Sequence, residues 1–161
     1  MSDSPPETIK FKHARFSTRL PVTHTYTPSH FWLARAEDTP HRWRVGFTKF
    51  ATRMLGELVE CEFKVDVGGA IEPGQVIGHV EGFKAISDLF SVADGAFAGG
   101  NPEIEADACI IRNNPYKNWL YQIDGEPEPD ALDVHGYLEL LTGTITSMHE
   151  QEKRGEATWQ H

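Results

Sequence analysis

One stretch of the 161-residue chain has residue types and a spacing suited to chemistry: Val80-Glu81-Gly82-Phe83-Lys84-Ala85-Ile86-Ser87-Asp88-Leu89. Short apolar strands are expected at 76–81 and 86–92, so Lys84 falls at the tip of a hairpin. Paired strands hold such a tip rigid while its side chain projects into solvent. An amine presented in this way can be acylated, which removes its charge and adds a long arm. A group at the end of such an arm can be passed between partner enzymes. Lysine and arm together reach on the order of 10–15 Å, from ordinary bond lengths. The plainer alternative is a solvated lysine that keeps a hairpin from aggregating. The residue pattern by itself leaves both open.

The elements around the tip can be read from periodicity and punctuation. Arg42–Phe47 reads as a strand, Thr48 as the N-cap of a short helix over Lys49–Leu55, and Gly56 as its stop. Val59, Cys61, Phe63 and Val65 alternate with charged residues, which predicts a strand with those four on its buried face. Gly68-Gly69, Pro73-Gly74 and Asp94-Gly95 mark turns. A short helix is expected within 103–111, a strand at 119–123, and a helix after the turn at 127–130 with an apolar stripe of Val134, Tyr137, Leu138 and Leu141. Many short strands with Gly and Pro between them predict a mainly β protein, a small sandwich or flattened barrel with short helices and a C-terminal helix. Residues 1–24 read as a flexible or loosely docked arm, 25–145 as the folded domain and 146–161 as a charged, frayed tail.

Composition narrows the function. Asp plus Glu number 24 against 15 Lys plus Arg, a net charge of -9. That balance argues against nucleic acid and favours docking onto basic partner faces. Two cysteines, Cys61 and Cys109, suit a reducing cytoplasm better than a disulfide framework. No apolar run is long enough to span a bilayer, and no signal-peptide core is present. The basic stretch 10–20 has some transit-peptide character, which Asp3 and Glu7 oppose. The expectation is a cytoplasmic monomer.

Other residue types suggest less. The eight histidines, His13, His24, His30, His41, His79, His135, His149 and His161, show no i, i+4 pair and no Cys-His cluster of zinc-like spacing, so no metal site is expected. His30 reads as a structural or cleft residue, and His79 as a partner across the hairpin. Cys61 and Cys109 are expected to be buried. Glu81 and Asp88 flank the tip, as solvated charges or as recognition points for a modifying enzyme. There is no phosphate loop or nucleophile elbow, and Glu126, Glu128 and Asp130 look like a solvated turn. No enzyme activity is expected of the chain alone.

From Tyr26 to about Leu141 the sequence resembles the H protein of the glycine cleavage system. The family's opening Tyr-x-x-x-His-x-Trp is matched by Tyr26, His30 and Trp32. Its Val-Gly-Ile-Thr is matched by Val45-Gly46-Phe47-Thr48, and its Leu-Gly-Glu by Leu55-Gly56-Glu57. Its hairpin Val-Glu-Ser-Val-Lys-Ala-x-Ser-Asp is matched from Val80 to Asp88 with two changes, Gly82 and Phe83. Asn114-Pro115-Tyr116 and Asn118-Trp119-Leu120 match two later motifs. The resemblance implies a lipoyl-domain-like β sandwich and a non-catalytic carrier. It implies lipoic acid in amide linkage on Lys84, and Glu81, Gly82, Phe83 and Asp88 as the tip that a lipoate-protein ligase or other lipoylation enzyme recognises.

Departures from the family bear on the pathway. Where the family has a Glu and a His lining the cleft that shelters an aminomethyl adduct, this chain has Phe31 and Met54. An apolar pair cannot hydrogen-bond or balance an amine but suits sulfur. Val92 replaces a proline. These changes are similar to those of the H-like lipoate-binding proteins of sulfur oxidation, whose partner is a heterodisulfide-reductase-like complex. That is the expectation taken forward. The alternative is a glycine-cleavage H protein carrying the aminomethyl group between glycine decarboxylase and aminomethyltransferase, with dihydrolipoyl dehydrogenase to reoxidise the arm. Two further readings are an H-like protein that supplies or regulates lipoylation elsewhere, and an unmodified β-sandwich interaction module.

Overall fold

The computed structural model describes residues 7–159. Strands β1 (Thr8–His13) and β2 (Phe16–Pro21) come first, then β3 (Thr25–Tyr26), β4 (Phe31–Arg35) and β5 (Arg42–Phe47). Helix α1 (Lys49–Leu55) leads into β6 (Leu58–Phe63), β7 (Ala70–Ile71), β8 (Val76–Gly82), β9 (Ile86–Phe90) and β10 (Ala93–Gly100). Helices α2 (Pro102–Ala106) and α3 (Ile110–Asn113), strand β11 (Tyr121–Pro127) and helix α4 (Val134–Trp159) follow.

The strands form a six-stranded sheet in the order β3-β4-β5-β11-β10-β7, a three-stranded sheet β6-β8-β9 and the separate hairpin β1-β2, with antiparallel pairing throughout. The two larger sheets share one core, in which Leu33, Val45, Leu58, Ile77, Leu89 and Ile123 are all but inaccessible. A second core gathers Phe11, Phe16, Leu20, Trp32, Phe50, Tyr137 and Leu141 beneath α4. Strand β4 serves both, because successive side chains point to opposite faces. Phe31 and Leu33 enter the first core and Trp32 enters the second. The mainly β architecture with a C-terminal helix therefore agrees with the expected fold. No helix among the described residues is long and apolar enough to cross a membrane.

Several local expectations need correction. Residues 8–21, expected to be a flexible arm, pair in register from Thr8↔Pro21 to His13↔Phe16 and bury Phe11, Phe16 and Leu20. Ile9 and Phe11 are two apart, but Phe16 and Leu20 are separated by the polar Thr18, and only a partner surface reveals that the inner face is continuous. Residues 1–6 of that arm lie outside the described residues. The expected break at 145/146 falls inside α4, which runs unbroken to Trp159 and buries Ile145. Residues 160–161 lie outside the described residues. On β6 the alternation fails at its start: Leu58 is inaccessible and Val59 is 50% exposed. A register shift between Leu58 and Glu60 puts two residues against one on β8 and turns Val59 outward.

Candidate functional site

The tip of the β8–β9 hairpin rests on the C-terminal end of α1. Thr48 starts that helix as expected, its hydroxyl accepting from the Ala51 amide, and Gly56 ends it with φ +77, a left-handed value that disfavours a side chain. Helix ends leave carbonyls without intrahelical partners. Here the tip supplies two backbone donors: the Lys84 amide bonds the Leu55 carbonyl at 2.9 Å, and the Phe83 amide bonds the Glu57 carbonyl at 3.0 Å. Within the hairpin, the Gly82 amide bonds the Ala85 carbonyl at 2.9 Å. Gly82 is buried, and a Cβ there would collide with the Leu55 carbonyl oxygen. A residue without a side chain is what lets strand and helix approach so closely.

The side chains at the tip are left free. Lys84 is exposed, and its Nζ makes one long contact, 3.4 Å, to the Arg53 carbonyl. Among the described residues no carboxylate lies within ion-pair distance of it. Phe83 is 75% exposed and Ile86 71%. They leave two apolar side chains exposed on the backbone-fixed tip that carries the amine, and Met54 and Val59 are exposed as well. Such an amine can be acylated, and a long apolar arm would find surface nearby.

The outer face of the β6-β8-β9 sheet is acidic. Register places Glu81 opposite Glu60, His79 opposite Glu62 on one side and Asp88 on the other. Glu60, Glu62, Asp88 and half-buried Glu81 therefore share one face leading to the tip. His79 Nε2 lies 3.5 Å from Glu62, so its close partner is on β6 and not across the hairpin on β9. One ligand atom each from Glu60, Glu62 and His79 lies within 4.8 Å of the others. Local spacing could not show this group, since its members come from two strands.

The remaining candidate residues scatter. Phe31 is 6% exposed and stacks on Phe47 at 5.2 Å inside the first core, while Met54 is 45% exposed on α1. Only Met54 offers appreciable surface to an arm. His30 is structural: its Nδ1 lies 2.8 Å from the Tyr137 hydroxyl, which lies 3.0 Å from the Thr48 hydroxyl. Burial pushes its imidazole down to about 4, as it does for His24. Cys61 is buried as expected, and burial pushes its thiol up to about 12. Cys109 is exposed, which corrects the expectation of burial. It precedes the short helix α3 at the surface, with its Sγ 3.4 Å from the Leu58 carbonyl and 3.7 Å from Glu57. Desolvation, with Asp107 and Glu57 nearby, raises its pKa and so disfavours the thiolate.

Sequence reasoning missed the partner that fixes the tip, the carbonyls of Leu55 and Glu57. The signal was present in Gly56 and Gly82, each of which leaves room for the other segment.

Comparison with known proteins completes the picture. The family model described as "Glycine cleavage H-protein" matches residues 24–142. The glycine cleavage system H protein of Mycobacteroides abscessus is 30% identical over 128 residues, covering 74% of this chain and 95% of that protein. That of Bordetella pertussis is 35% identical over 121 residues, covering 73% and 94%. The crystal structure of a glycine cleavage system H protein from Mycobacterium marinum superposes with a TM-score of 0.65 at 30% identity, covering 73% of this chain and 95% of that one. Extent, order and fold agree, and the chain belongs to the glycine cleavage H-protein family.

Proposed function

We propose that this chain carries lipoate in amide linkage on Lys84 and presents it to the enzymes of a glycine-cleavage-type system. As a member of the H-protein family it is a non-catalytic carrier. The observation that carries the reading is the exposed Lys84 amine on a tip fastened by two backbone hydrogen bonds, to Leu55 at the end of α1 and to Glu57 just beyond it. The amine fits acylation, because no ion pair to a carboxylate among the described residues must first be broken.

When bound, the lipoyl group supplies a disulfide that accepts and releases electrons and sulfur-bound groups. The chain's own residues do the rest. The carbonyls of Leu55 and Glu57 hold the tip, and Gly82 permits that contact. Glu60, Glu62, Glu81 and Asp88 present a negative face that steers basic partner surfaces toward the tip. Those partners are a lipoylating enzyme, glycine decarboxylase, aminomethyltransferase and dihydrolipoyl dehydrogenase.

The preference for glycine cleavage over sulfur oxidation rests on the relatives, whose names are those of glycine cleavage H proteins at 30–35% identity, and on Phe31. Its burial removes half of the apolar pair that favoured a sulfur cargo. Sulfur transfer to a heterodisulfide-reductase-like complex stays a second reading on one observation. Met54 is exposed and follows Arg53, whose carbonyl accepts from Lys84, and a thioether there is a soft apolar contact. A reconstituted glycine–bicarbonate exchange assay separates the two. Lipoylated protein should support exchange with glycine decarboxylase and lose it entirely in Lys84→Arg. Failure of the lipoylated protein to support exchange, beside an H protein that does, would favour the sulfur reading.

A further inference from the structure

The N-terminal hairpin does more than cover a core. On its outer side a cleft of about 750 Å³ opens between β1–β2, the start of α1 and the segment from α3 toward β11. Four cations line it, Lys10, Arg19, Lys49 and Arg112, and no Asp or Glu does. In a chain of net charge -9 that segregation runs against composition. Among the described residues, none of the four is within ion-pair distance of a carboxylate.

The strand register adds an independent sign. Lys10 and Arg19 are direct cross-strand partners, and both are exposed. Like charges placed directly opposite destabilise a two-stranded ribbon. An anion seated between them reverses the sign of that interaction. The cleft also has neutral donors and a fixed edge. Thr18 and Tyr116 line it with their hydroxyls 3.5 Å apart, and the Lys49 ammonium is tied to the Ser17 carbonyl at 2.8 Å.

We infer that this cleft binds a small multivalent anion of the phosphate or polycarboxylate class. The hairpin wall, residues 8–21, precedes the part of the chain matched by the family model, which begins at residue 24. The inference is therefore independent of the lipoyl reading. The cleft lies at the N-terminal end of α1, while the tip bearing Lys84 rests on the C-terminal end, about 10 Å along a helix of this length.

Isothermal titration of the full chain at low ionic strength, with inorganic pyrophosphate and with citrate, tests this. Saturable one-to-one binding of either is expected, and which anion binds assigns the class. The double variant Lys10→Gln/Arg19→Gln should weaken it by about tenfold or more, as should Arg112→Gln, while Lys64→Gln outside the cleft should leave it unchanged. The double variant should also raise the Tm of the anion-free protein, by removing the repulsion, and reduce the rise in Tm that the anion produces. The inference is overturned if neither anion binds saturably or if Lys64→Gln weakens binding equally. It is also overturned if an oligoglutamate peptide binds more tightly than both small anions, which would make the cleft a protein-docking surface.

Discussion

Helix α1 is gripped by two hairpins that hold it in opposite ways. The β1–β2 hairpin uses side chains. Phe16 meets Phe50 edge-on at 5.6 Å, Arg53 lies 5.8 Å over the Phe16 ring, and Lys49 bonds the Ser17 carbonyl. The β8–β9 hairpin uses its backbone, through the amides of Phe83 and Lys84. The first commits its inward-facing side chains, Phe11, Phe16 and Leu20, to packing. The second is held just as definitely but leaves Phe83, Lys84 and Ile86 in solvent. A carrier tip needs that combination of a fixed main chain and free side chains.

The largest effect should come from removing the side-chain grip. Phe16→Ala takes a ring from the second core and should cost about 3–5 kcal/mol in urea unfolding. A cost below about 1 kcal/mol would mean that the hairpin is only loosely docked, as its sequence alone suggests.

Acid should attack the same side of the molecule. Burial holds His24 and His30, both beside the second core, down at about 4 from 6.5, so between these values the unfolded chain binds more protons. The stability tied to neutral imidazoles is complete above pH 6.5 and is lost as pH falls from 6.5 toward 4, by up to about 3 kcal/mol for each. Thermal unfolding across that window should show Tm falling, with a shallower fall in His30→Gln. A flat profile would contradict the burial of these rings.

At the backbone grip, Gly82→Ser restores the residue type that the resemblance gives for this position. Here its Cβ meets the Leu55 carbonyl oxygen, and overpacking of this kind costs about 1–3 kcal/mol. Lipoylation should slow as the tip is displaced. Unchanged stability together with an unchanged modification rate would show that the strand–helix contact is not what positions the tip. Lys84→Arg sits at the bottom of the stability scale, within about 0.5 kcal/mol, because the side chain is exposed.

What could be read from the chain follows the same division. Arg42–Phe47, the Thr48 cap, Lys49–Leu55 and the Gly56 stop are local signals, and the structure reproduces them. The place of Lys84 between two strands was legible for the same reason. Long-range effects were not. The bulge that exposes Val59 depends on pairing with β8. The order of residues 8–21 depends on packing partners, Phe50 and those of α4, that are distant in sequence. Phe31 could be aligned with a cleft position, but its direction is set by β4 standing between two cores. The cluster of Glu60, Glu62 and His79 likewise arises only from strand register.

The central claim is that Lys84 alone bears the arm, and residue-resolved mass spectrometry tests it most directly. The intact protein would be incubated with lipoate, ATP and a lipoate-protein ligase, beside Lys84→Arg and a known lipoyl domain. The account predicts a single lipoyl group on the peptide containing Lys84, and none on the variant. A lipoyl group on any other lysine, or an unmodified Lys84 where the known domain is fully modified, would contradict it.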